Sequence, residues 1–370
     1  MDITILGGGH GCFAAAAELA ENGHTVRWWR RDTTALDALR ALGALGVRDH
    51  RGSRTVPVSD TARAGAIHPV ADLAEAVRGA ALVVVPLPAT VHADLAARVA
   101  PLLQDGQVVF LPPGTFGTVL FAQAMAAAGN TADAALAETG TLPYLARTHG
   151  PSEVVVSGYA TRLPTGVFPA RSSDAAFRVL REAYPSVEPV EDSLSGALMN
   201  AGPVIHPPLI LMNAGPLEHS SSWDIHNEGT QPSIRRVTDA LDAERIAVRE
   251  ALGYAAPHFP LADHYATDGD EWMYGRAAHE RLTDSGDWRE KIDLLDHRYM
   301  LEDTRLGLSF LVSVGRWADV QTPVAQGLLS IASAVTGKDL YAEGRTLESL
   351  GLAWLTRPEL TKLLHEGLPA

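Results

Sequence analysis

The sequence has only one cysteine among its 370 residues, and it is short of positive charge. With one cysteine, Cys12, the chain cannot form an internal disulfide, which is typical of a protein from a reducing cytoplasm. Thirty basic residues against 44 acidic ones give a formal net charge of -14. This balance argues against broad binding to nucleic acid or anionic lipid, since both need a cationic surface. An anionic small molecule would have to meet a local cluster of positive charge.

Several catalytic and targeting signatures are also missing. There is no HExxH, no CxxC and no supporting carboxylate pattern around His219 and His226, so we predict no metal site. The absence of GxSxG and of a P-loop removes the serine hydrolase and nucleoside triphosphatase classes. The first ten residues, MDITILGGGH, lack a basic region followed by an apolar region. We therefore expect no signal peptide and a cytoplasmic protein.

Formal charge is missing from one long stretch, Ser193 to Leu217, whose 25 residues would suffice to span a bilayer. Its prolines, glycines and polar side chains, among them Asn200 and His206, would leave unsatisfied polar groups in hydrocarbon. We interpret the stretch as a buried segment of a soluble protein and as the floor of an active site. No membrane partner is expected.

The residues that are present alternate between strand and helix patterns. The apolar run Ile3 to Leu6, a glycine cluster, a helical pattern at Phe13 to Ala20 and a second apolar run at Thr25 to Trp29 form a βαβ unit. Further patterns of the same two kinds are the strands Ala81 to Val85, Val108 to Leu111 and Glu153 to Gly158, and the helices Val91 to Leu103 and Thr118 to Ala128. Such alternation predicts a doubly wound, mostly parallel sheet.

Beyond about residue 190 the strand patterns fade, and long helical patterns follow at Ser233 to Leu252 and Leu306 to Val320. The segment Pro185 to Asp192, rich in proline and acidic residues, is the expected boundary. We predict an α/β N-terminal Rossmann domain over residues 1–188, followed by an all-α substrate domain over residues 189–370.

The glycine cluster, GGGHGC over residues 7–12, fits the G-x-G-x-x-(small) pattern of a dinucleotide-binding loop. Gly7 would allow the tight turn, Gly9 would let the backbone approach a pyrophosphate, and a small Cys12 would let helix and strand pack closely. The N-terminus of the following helix would offer N–H groups and a positive dipole end to the diphosphate. We interpret Cys12 as a packing residue rather than a redox group. The predicted cofactor residues of this loop are Gly7, Gly9, His10, Gly11 and Cys12.

A second cofactor signal follows the second strand, where an acidic side chain would bind the ribose of NAD. The chain reads RWWRRD over residues 27–32, and Arg30 and Arg31 suit the additional phosphate of NADP. We therefore expect NADP in preference to NAD; in the alternative, the arginines lie in solvent and Asp32 binds the ribose. Pro86 stands at the carboxyl end of a buried strand, where ligands bind in open sheets, and joins the cofactor residues.

The second half contains a candidate proton donor, His206, in NAGPVIHPP over residues 200–208. A histidine in apolar surroundings is more often a core residue bonded to the backbone. Here the flanking prolines and Asn200 favour a functional role, because they hold the ring on a fixed backbone. A carboxylate would orient the imidazole, but composition does not choose the partner. The densest candidate segment, Asp296 to Asp303, could equally be a solvated ionic face at a helix end.

Six segments together resemble the opine dehydrogenases of the octopine and nopaline type. They are ILGGGHGCFAAAAELA near the start, LPPGTFGT (111–118), ETGTLPYLAR (138–147), NAGPVIHPP (200–208), HRYMLEDT (297–304) and EGRTLESLGL (343–352). The resemblance covers nearly the whole chain. The glycine loop is shared by many dehydrogenases, whereas the histidine-proline and arginine-tyrosine-acid segments together are specific.

The resemblance implies an enzyme that uses NAD(P)H to condense an amino acid or amine with a 2-oxo acid such as pyruvate. By position, His206 matches the catalytic histidine, Asp303 the aspartate that polarises it, and Arg298 the arginine that binds the substrate carboxylate. Thr141 and Asn200, in the shared segments, are further candidate substrate contacts. After Asp303 the chain reads TRLG where the family is usually rich in proline and glycine, so the amino partner is left open.

Two other hypotheses stay open on the sequence. A reductase of a 2-oxo acid or ketopantoate-like ketone, with no amine partner, would have the same fold and the same histidine. A non-catalytic nucleotide-binding protein would have no use for an acid, its orienting carboxylate and a carboxylate-binding arginine. We consider a homodimer as the oligomeric form, although no residue pattern decides it.

Overall fold

The structure, a computed structural model, describes residues 1–286 and 288–369 of the chain. The chain folds into two units. The first contains residues 1–87, 91–196 and 362–369, and the second contains residues 88–90 and 197–361. The first unit thus includes residues 189–196 and 362–369, which the predicted division at residues 188 and 189 assigns to the second domain.

Close packing explains why the first unit retains the chain beyond the predicted boundary. A Cβ on Gly196 would lie 2.7 Å from the carbonyl oxygen of Glu138 and 2.8 Å from the amide nitrogen of Gly166. Only glycine fits there. At the C-terminus, Nε of Arg171 donates to the carbonyl oxygen of Glu366 at 3.2 Å. These contacts join distant parts of the chain and have no local sequence pattern.

The strands of the first unit account for most of its core. In chain order they are β1 (Asp2–Leu6), β2 (Thr25–Trp29), β3 (Ala44–Asp49), β4 (Gly52–Pro57), β5 (Ala66–Val70), β6 (Leu82–Val84), β7 (Val108–Leu111), β8 (Ala135–Thr139), β9 (Tyr144–Thr148), β10 (Glu153–Tyr159), β11 (Leu163–Phe168) and β12 (Val187–Pro189). Eight form one sheet in the order β12-β11-β8-β7-β6-β1-β2-β5. Its neighbours are parallel, except that β8 and β11 are antiparallel. This confirms the predicted mostly parallel sheet.

A second sheet, β4-β3-β10-β9, corrects one expectation. The strand predicted at Glu153 to Gly158 forms as β10, but it pairs with β3 and β9 rather than with the main sheet. Its residues are alternately buried and partly exposed, whereas β7 in the main sheet is buried throughout. Alternation is typical of a sheet with only one covered face, and continuous burial is typical of a strand covered by helices on both sides.

The helices of the first unit cover the main sheet. They are α1 (His10–Glu21), α2 (Thr33–Leu42), α3 (Leu73–Val77), α4 (His92–Val99), α5 (Gly117–Ala127), α6 (Ser173–Ala183) and the start of α7 (Ser193–Ala197). The helix predicted at Val91 to Leu103 is shorter than expected, because 3₁₀ turns flank α4 on both sides. The second turn contains Pro101, which has no N–H to continue an α-helix.

The second unit is mainly helical, as predicted. Its elements are α8 (Gly202–Met212), α9 (Ala214–His219), α10 (Pro232–Ala251), α11 (Ala262–Tyr265), α12 (Ala278–Asp284), a π-helix (Tyr299–Leu308), α13 (Ser309–Trp317) and α14 (Pro323–Thr336), and α15 (Arg357–Glu366) leads back to the first unit. Two short strands, β13 (Trp223–Asp224) and β14 (Arg289–Glu290), form an antiparallel pair. The second unit is therefore not the purely α domain that we had predicted. The sequence does not indicate these strands, because two residues are too few to show the alternation of a β-strand.

The long uncharged stretch forms α7, α8 and most of α9. Prolines 207 and 208 lie inside α8 and cannot donate a backbone hydrogen bond. Over residues 1–286 and 288–369, no helix combines the length and the apolar composition needed to cross a membrane.

Candidate cofactor and catalytic sites

The glycine loop joins β1 to α1 in the first unit. Gly7 has a φ of +121°, a conformation that favours glycine, and a Cβ there would collide with Leu87. At Gly9, the N-cap of α1, a Cβ would meet nothing within 4 Å. The loop therefore leaves open space in front of the first N–H groups of a 12-residue helix, which is suitable for a diphosphate.

The third position of the loop is filled by Cys12, which is fully buried. Its thiol lies 3.7 Å from the carbonyl oxygen of Leu6, and burial raises the pKa of the thiol to about 12. A thiol that stays protonated near neutral pH is unreactive, in agreement with a packing role. A Cβ on Gly11 would lie 2.8 Å from Leu142 and 3.3 Å from Pro86. Gly11 and Pro86 thus lie in a tightly packed region beside the loop.

A cavity of about 270 Å³ lies beside the glycine loop, within the first unit. Its walls come from the loop, the end of β2 and the helix α4. Of the predicted cofactor residues, Gly7, Arg30 and Arg31 line it, whereas Gly9, His10, Gly11, Cys12 and Pro86 do not. His10, at the start of α1, instead lies with Nδ1 2.9 Å from the hydroxyl of Thr148.

Two arginines that line this cavity lie over aromatic rings. The guanidinium of Arg30 is 5.4 Å from the ring centre of Phe13 and 5.7 Å from that of Trp28. Its buried Nε has no hydrogen-bond partner among the described residues, as expected of a group placed to meet an anion. Arg98 on α4 lies 4.9 Å from the ring centre of Trp29. Sequence reasoning missed Arg98, because it is more than 60 positions from the arginine run that it joins.

The other charged residues of RWWRRD have different environments. Arg27 has a structural role, because its Nη1 donates to the carbonyl oxygens of Glu75 at 3.1 Å and Arg78 at 2.5 Å. Arg31 is exposed and lines the cavity. Asp32 also lines it, but its carboxylate caps the N-terminus of α2.

The second unit contains the predicted acid and its partner. Nδ1 of His206, on α8, is 2.8 Å from Oδ2 of Asp303, on the π-helix. The Asp303 side chain is 3 % exposed and that of His206 is 14 % exposed. His206 is therefore not a core histidine bonded to the backbone through this nitrogen, and Asp303 is not part of a solvated ionic face.

Two glycines let α8 and the π-helix approach each other. A Cβ on Gly202 would collide with the Asp303 carboxylate, and a Cβ on Gly307 would lie 2.7 Å from Cβ of Pro203. The π-helix itself spans ten residues, and the hydroxyl of Thr304 donates to the carbonyl oxygen five residues earlier, at 2.7 Å. The pattern at Leu306 to Val320 predicted a single helix, whereas the structure has a π-helix followed by α13. π-helical turns are frequent at functional sites.

Burial dominates the electrostatics of the pair. It raises the pKa of the Asp303 carboxyl to about 7, although the nearby Arg298 lowers it. The hydrogen-bond partner of this carboxyl is the His206 imidazole, at 2.8 Å. A carboxyl and an imidazole in direct contact are groups suited to proton transfer.

An aromatic cluster fixes the plane of the His206 ring. Tyr299 stacks on it, with ring centres 3.8 Å apart and planes inclined by 12°. The Tyr299 hydroxyl is in turn 2.9 Å from Nε2 of His226. Tyr299 and His226 were not among the predicted site residues. The only signal for Tyr299 was its place in the segment HRYMLEDT.

The remaining predicted substrate residues have unequal positions. Arg298 immediately precedes the π-helix, its side chain is half exposed, and its Nε is 3.4 Å from Oε2 of Glu302. Asn200 is buried and accepts a hydrogen bond from the amide of Gly202 at 3.0 Å, so its side chain orders the start of α8. Thr141 belongs to the first unit, in the loop after β8. Among residues 1–286 and 288–369, no three histidine, cysteine or acidic groups are placed to hold a metal ion.

Comparison with known proteins assigns the two halves. Residues 189–336 match the family described as NAD/NADP octopine/nopaline dehydrogenase, alpha-helical domain. Residues 2–131 match the N-terminus of NAD-dependent glycerol-3-phosphate dehydrogenase. The chain is also 29 % identical to an opine dehydrogenase of Arthrobacter sp. (strain 1C), over 95 % of this chain and 96 % of that one. The chain is thus similar to octopine/nopaline dehydrogenases, through the family match of its helical half and through the Arthrobacter relative over nearly its whole length. It is an NAD(P)-dependent oxidoreductase, as the resemblance implied.

Solved structures of similar proteins support this fold. An octopine dehydrogenase in complex with NADH and agmatine matches with a TM-score of 0.70 and 18 % identity, over 100 % of this chain and 99 % of that one. A 2-dehydropantoate 2-reductase from Geobacter metallireducens GS-15 matches with a TM-score of 0.58 and 18 % identity, over 91 % and 100 %. At such identities the likeness shows the fold, so the substrate must be argued from the site.

Proposed function

We propose that the protein is an opine dehydrogenase that joins a 2-oxo acid to an amino acid or amine and reduces the resulting imine with NADPH. The observation that carries the proposal is the buried His206–Asp303 pair, whose aspartate lies five residues after Arg298 in the same segment. A proton donor and a carboxylate-binding cation are what the reduction of a 2-oxo acid derivative needs. The Arthrobacter relative, an opine dehydrogenase by name, supports the amine partner.

The first unit would hold the cofactor. The residues that fit it are Gly7 at the turn, Gly9 at the open N-terminus of α1, and the arginines of the cavity. The dinucleotide, when bound, supplies the hydride.

NADPH is preferred over NADH in this proposal because of charge. Arg30, Arg31 and Arg98 line one cavity, and none of them makes an ion pair within the described part of the chain. The acidic residues of the same cavity are Asp32, which caps α2, and Asp94 on α4. In a chain of net charge -14, three arginines without acidic partners favour a ligand with an additional phosphate.

The second unit would perform the proton transfer. Arg298 binds the carboxylate of the 2-oxo acid through its guanidinium and so orients the adjacent carbon. His206, protonated through its pair with Asp303, donates a proton to the carbonyl oxygen as the amine adds, and the amine nitrogen gives up the second proton of the water that leaves. A protonated imine remains, whose carbon would accept hydride to give the secondary amine, so His206 supplies one proton per turnover. Tyr299 keeps the ring in plane during this transfer.

A substrate screen tests the proposal. Pyruvate and other 2-oxo acids are offered with and without a panel of amino acids and amines, and NADPH and NADH absorbance is followed. We expect oxidation that requires both partners and is faster with NADPH. Oxidation of equal rate without any amine would instead support a simple 2-oxo acid or ketopantoate-like reductase.

A further inference from the structure

One buried carboxylate beside the catalytic pair has no role so far. Glu302 precedes Asp303 on the π-helix, and its side chain is only 3 % exposed. Its Oε1 accepts a hydrogen bond from the amide of Ala89 at 2.8 Å. Its Oε2 is 3.4 Å from Nε of Arg298 and has no hydrogen-bond partner among the described residues. Glu302 therefore connects Arg298 to a fixed point of the backbone.

That fixed point is itself anchored. Nη2 of the buried Arg345 donates to the carbonyl oxygen of Ala89 at 2.9 Å. Arg345 lies in EGRTLESLGL, one of the shared segments, for which neither the cofactor nor the proton transfer gave a reason. The second unit contains all three residues of this series of contacts, Ala89, Glu302 and Arg298.

The charge of Glu302 changes in the neutral range. Burial raises the pKa of its carboxyl to about 7, and Asp303 raises it as well, while Arg298, the amide of Ala89 and Arg345 lower it. When the carboxyl is ionised, it compensates part of the charge of Arg298. When it is protonated, that charge is available in full to another anion.

We propose that Glu302 is a positioning residue that holds Arg298 in place and, by its own charge, sets how strongly Arg298 binds the substrate carboxylate. The inference rests on the proposed function, because it takes Arg298 as the site of the 2-oxo acid. It assigns to Glu302 a role in affinity, separate from the proton transfer of His206. By linkage, an anion bound at Arg298 favours the protonated form of Glu302, so binding weakens as pH rises through the neutral range.

The test is the binding of oxamate, a carboxylate that resembles pyruvate but is not reduced in this reaction. Its Kd is measured in the presence of NADPH for the unchanged protein and for Glu302→Gln, which keeps the acceptor for Ala89 and removes the charge. The quantity of interest is the ratio of the two Kd values as pH is varied. The His206–Asp303 pair is present in both proteins, and its own contribution is removed in the double variant described below.

We expect the unchanged protein and Glu302→Gln to bind oxamate equally at about pH 6, and the unchanged protein to bind about threefold or more weakly at about pH 8.5. The control Glu250→Gln removes the same charge from an exposed position on α10 and should leave the ratio at one throughout. A ratio for Glu302→Gln that does not change with pH would overturn the inference. If oxamate does not bind the unchanged protein at any pH, the proposed function fails and the inference fails with it.

A second measurement keeps the inference testable if Glu302→Gln does not fold. In His206→Ala/Asp303→Asn the catalytic pair is removed and Glu302 is kept. Calorimetry of oxamate binding in two buffers of different ionisation enthalpy, at about pH 7.5, should show uptake of part of a proton. Binding without proton uptake would contradict a role for the charge of Glu302.

Discussion

His206 and Asp303 are 97 positions apart in the sequence, and a contact of 2.8 Å between Nδ1 and Oδ2 joins them inside the second unit. The contact ties α8 to the π-helix and places a titratable pair beside Arg298. It supports the proposed role of His206 as a proton donor, because a buried carboxylate is costly to charge unless it has a partner of this kind.

Replacement of His206 tests its role as the acid. His206→Ala should lower kcat for reductive condensation by about a hundredfold or more, the effect expected from the loss of a general acid. Binding of NADPH should be unchanged, since the predicted cofactor residues belong to the first unit. His219→Ala, at an exposed histidine on α9, is the matched control and should retain activity. Turnover retained by His206→Ala would remove the histidine from the mechanism.

The pH profile tests the pairing with Asp303. Reduction consumes the proton of the pair, so kcat/KM for reduction should fall as pH rises through its pKa, and the reverse oxidation should rise. Asp303→Asn removes the carboxylate that stabilises the protonated ring, and the alkaline limb should therefore move to lower pH. Asp296→Asn, on the exposed turn before the π-helix, should leave the profile in place. If the alkaline limb of the pH profile stays in place in Asp303→Asn, the aspartate does not control the proton of His206.

The close approach of α8 and the π-helix gives a third prediction. In Gly202→Ala the added Cβ would collide with the Asp303 carboxylate, displace it from His206 and lower kcat/KM by about tenfold or more. Gly215→Ala, on α9, adds a methyl group where nothing lies within 4 Å, and it should be active. Thermal unfolding of both variants separates lost alignment from lost folding. Equal activity of the two variants would contradict a catalytic role for the contact between Asp303 and His206.

Cofactor choice gives a fourth prediction. Replacement of both Arg30 and Arg31 by glutamine should raise the Kd of NADPH by about tenfold or more, as for lost hydrogen bonds between charged groups, with a much smaller effect on NADH. Arg98→Gln should act in the same direction. Arg63→Gln, at an exposed arginine outside the cavity, is the control. Equal losses for NADPH and NADH would mean that these arginines do not bind the additional phosphate.

The sequence was sufficient where a pattern is local. The glycine loop, the first βαβ unit and strand β7 follow from period and from turn residues, and the helix predicted at Ser233 to Leu252 forms as α10 with a shift of one residue. In each of these elements the buried face follows from the spacing of its own apolar residues, so the local sequence is enough to predict it.

The remainder depends on contacts that no local pattern shows. Arg98 reaches the cavity only because α4 packs beside the end of β2. The π-helix needs a side-chain bond from Thr304 and the close approach permitted by Gly307. Glu302 is charged in the sequence and buried in the structure, because the amide of Ala89 provides its partner. For His206 and Asp303, composition offered many pairs, and the family resemblance rather than spacing selected the one that the structure joins.

The most direct test of the central claim is the mass of the product formed by the best pair of substrates in the screen. We expect a secondary amine whose mass equals that of the 2-oxo acid plus the amino acid, less one water and plus two hydrogens, with one NADPH oxidised for each product. A 2-hydroxy acid formed in the same amount as NADPH is oxidised, with the amino acid unchanged, would contradict it.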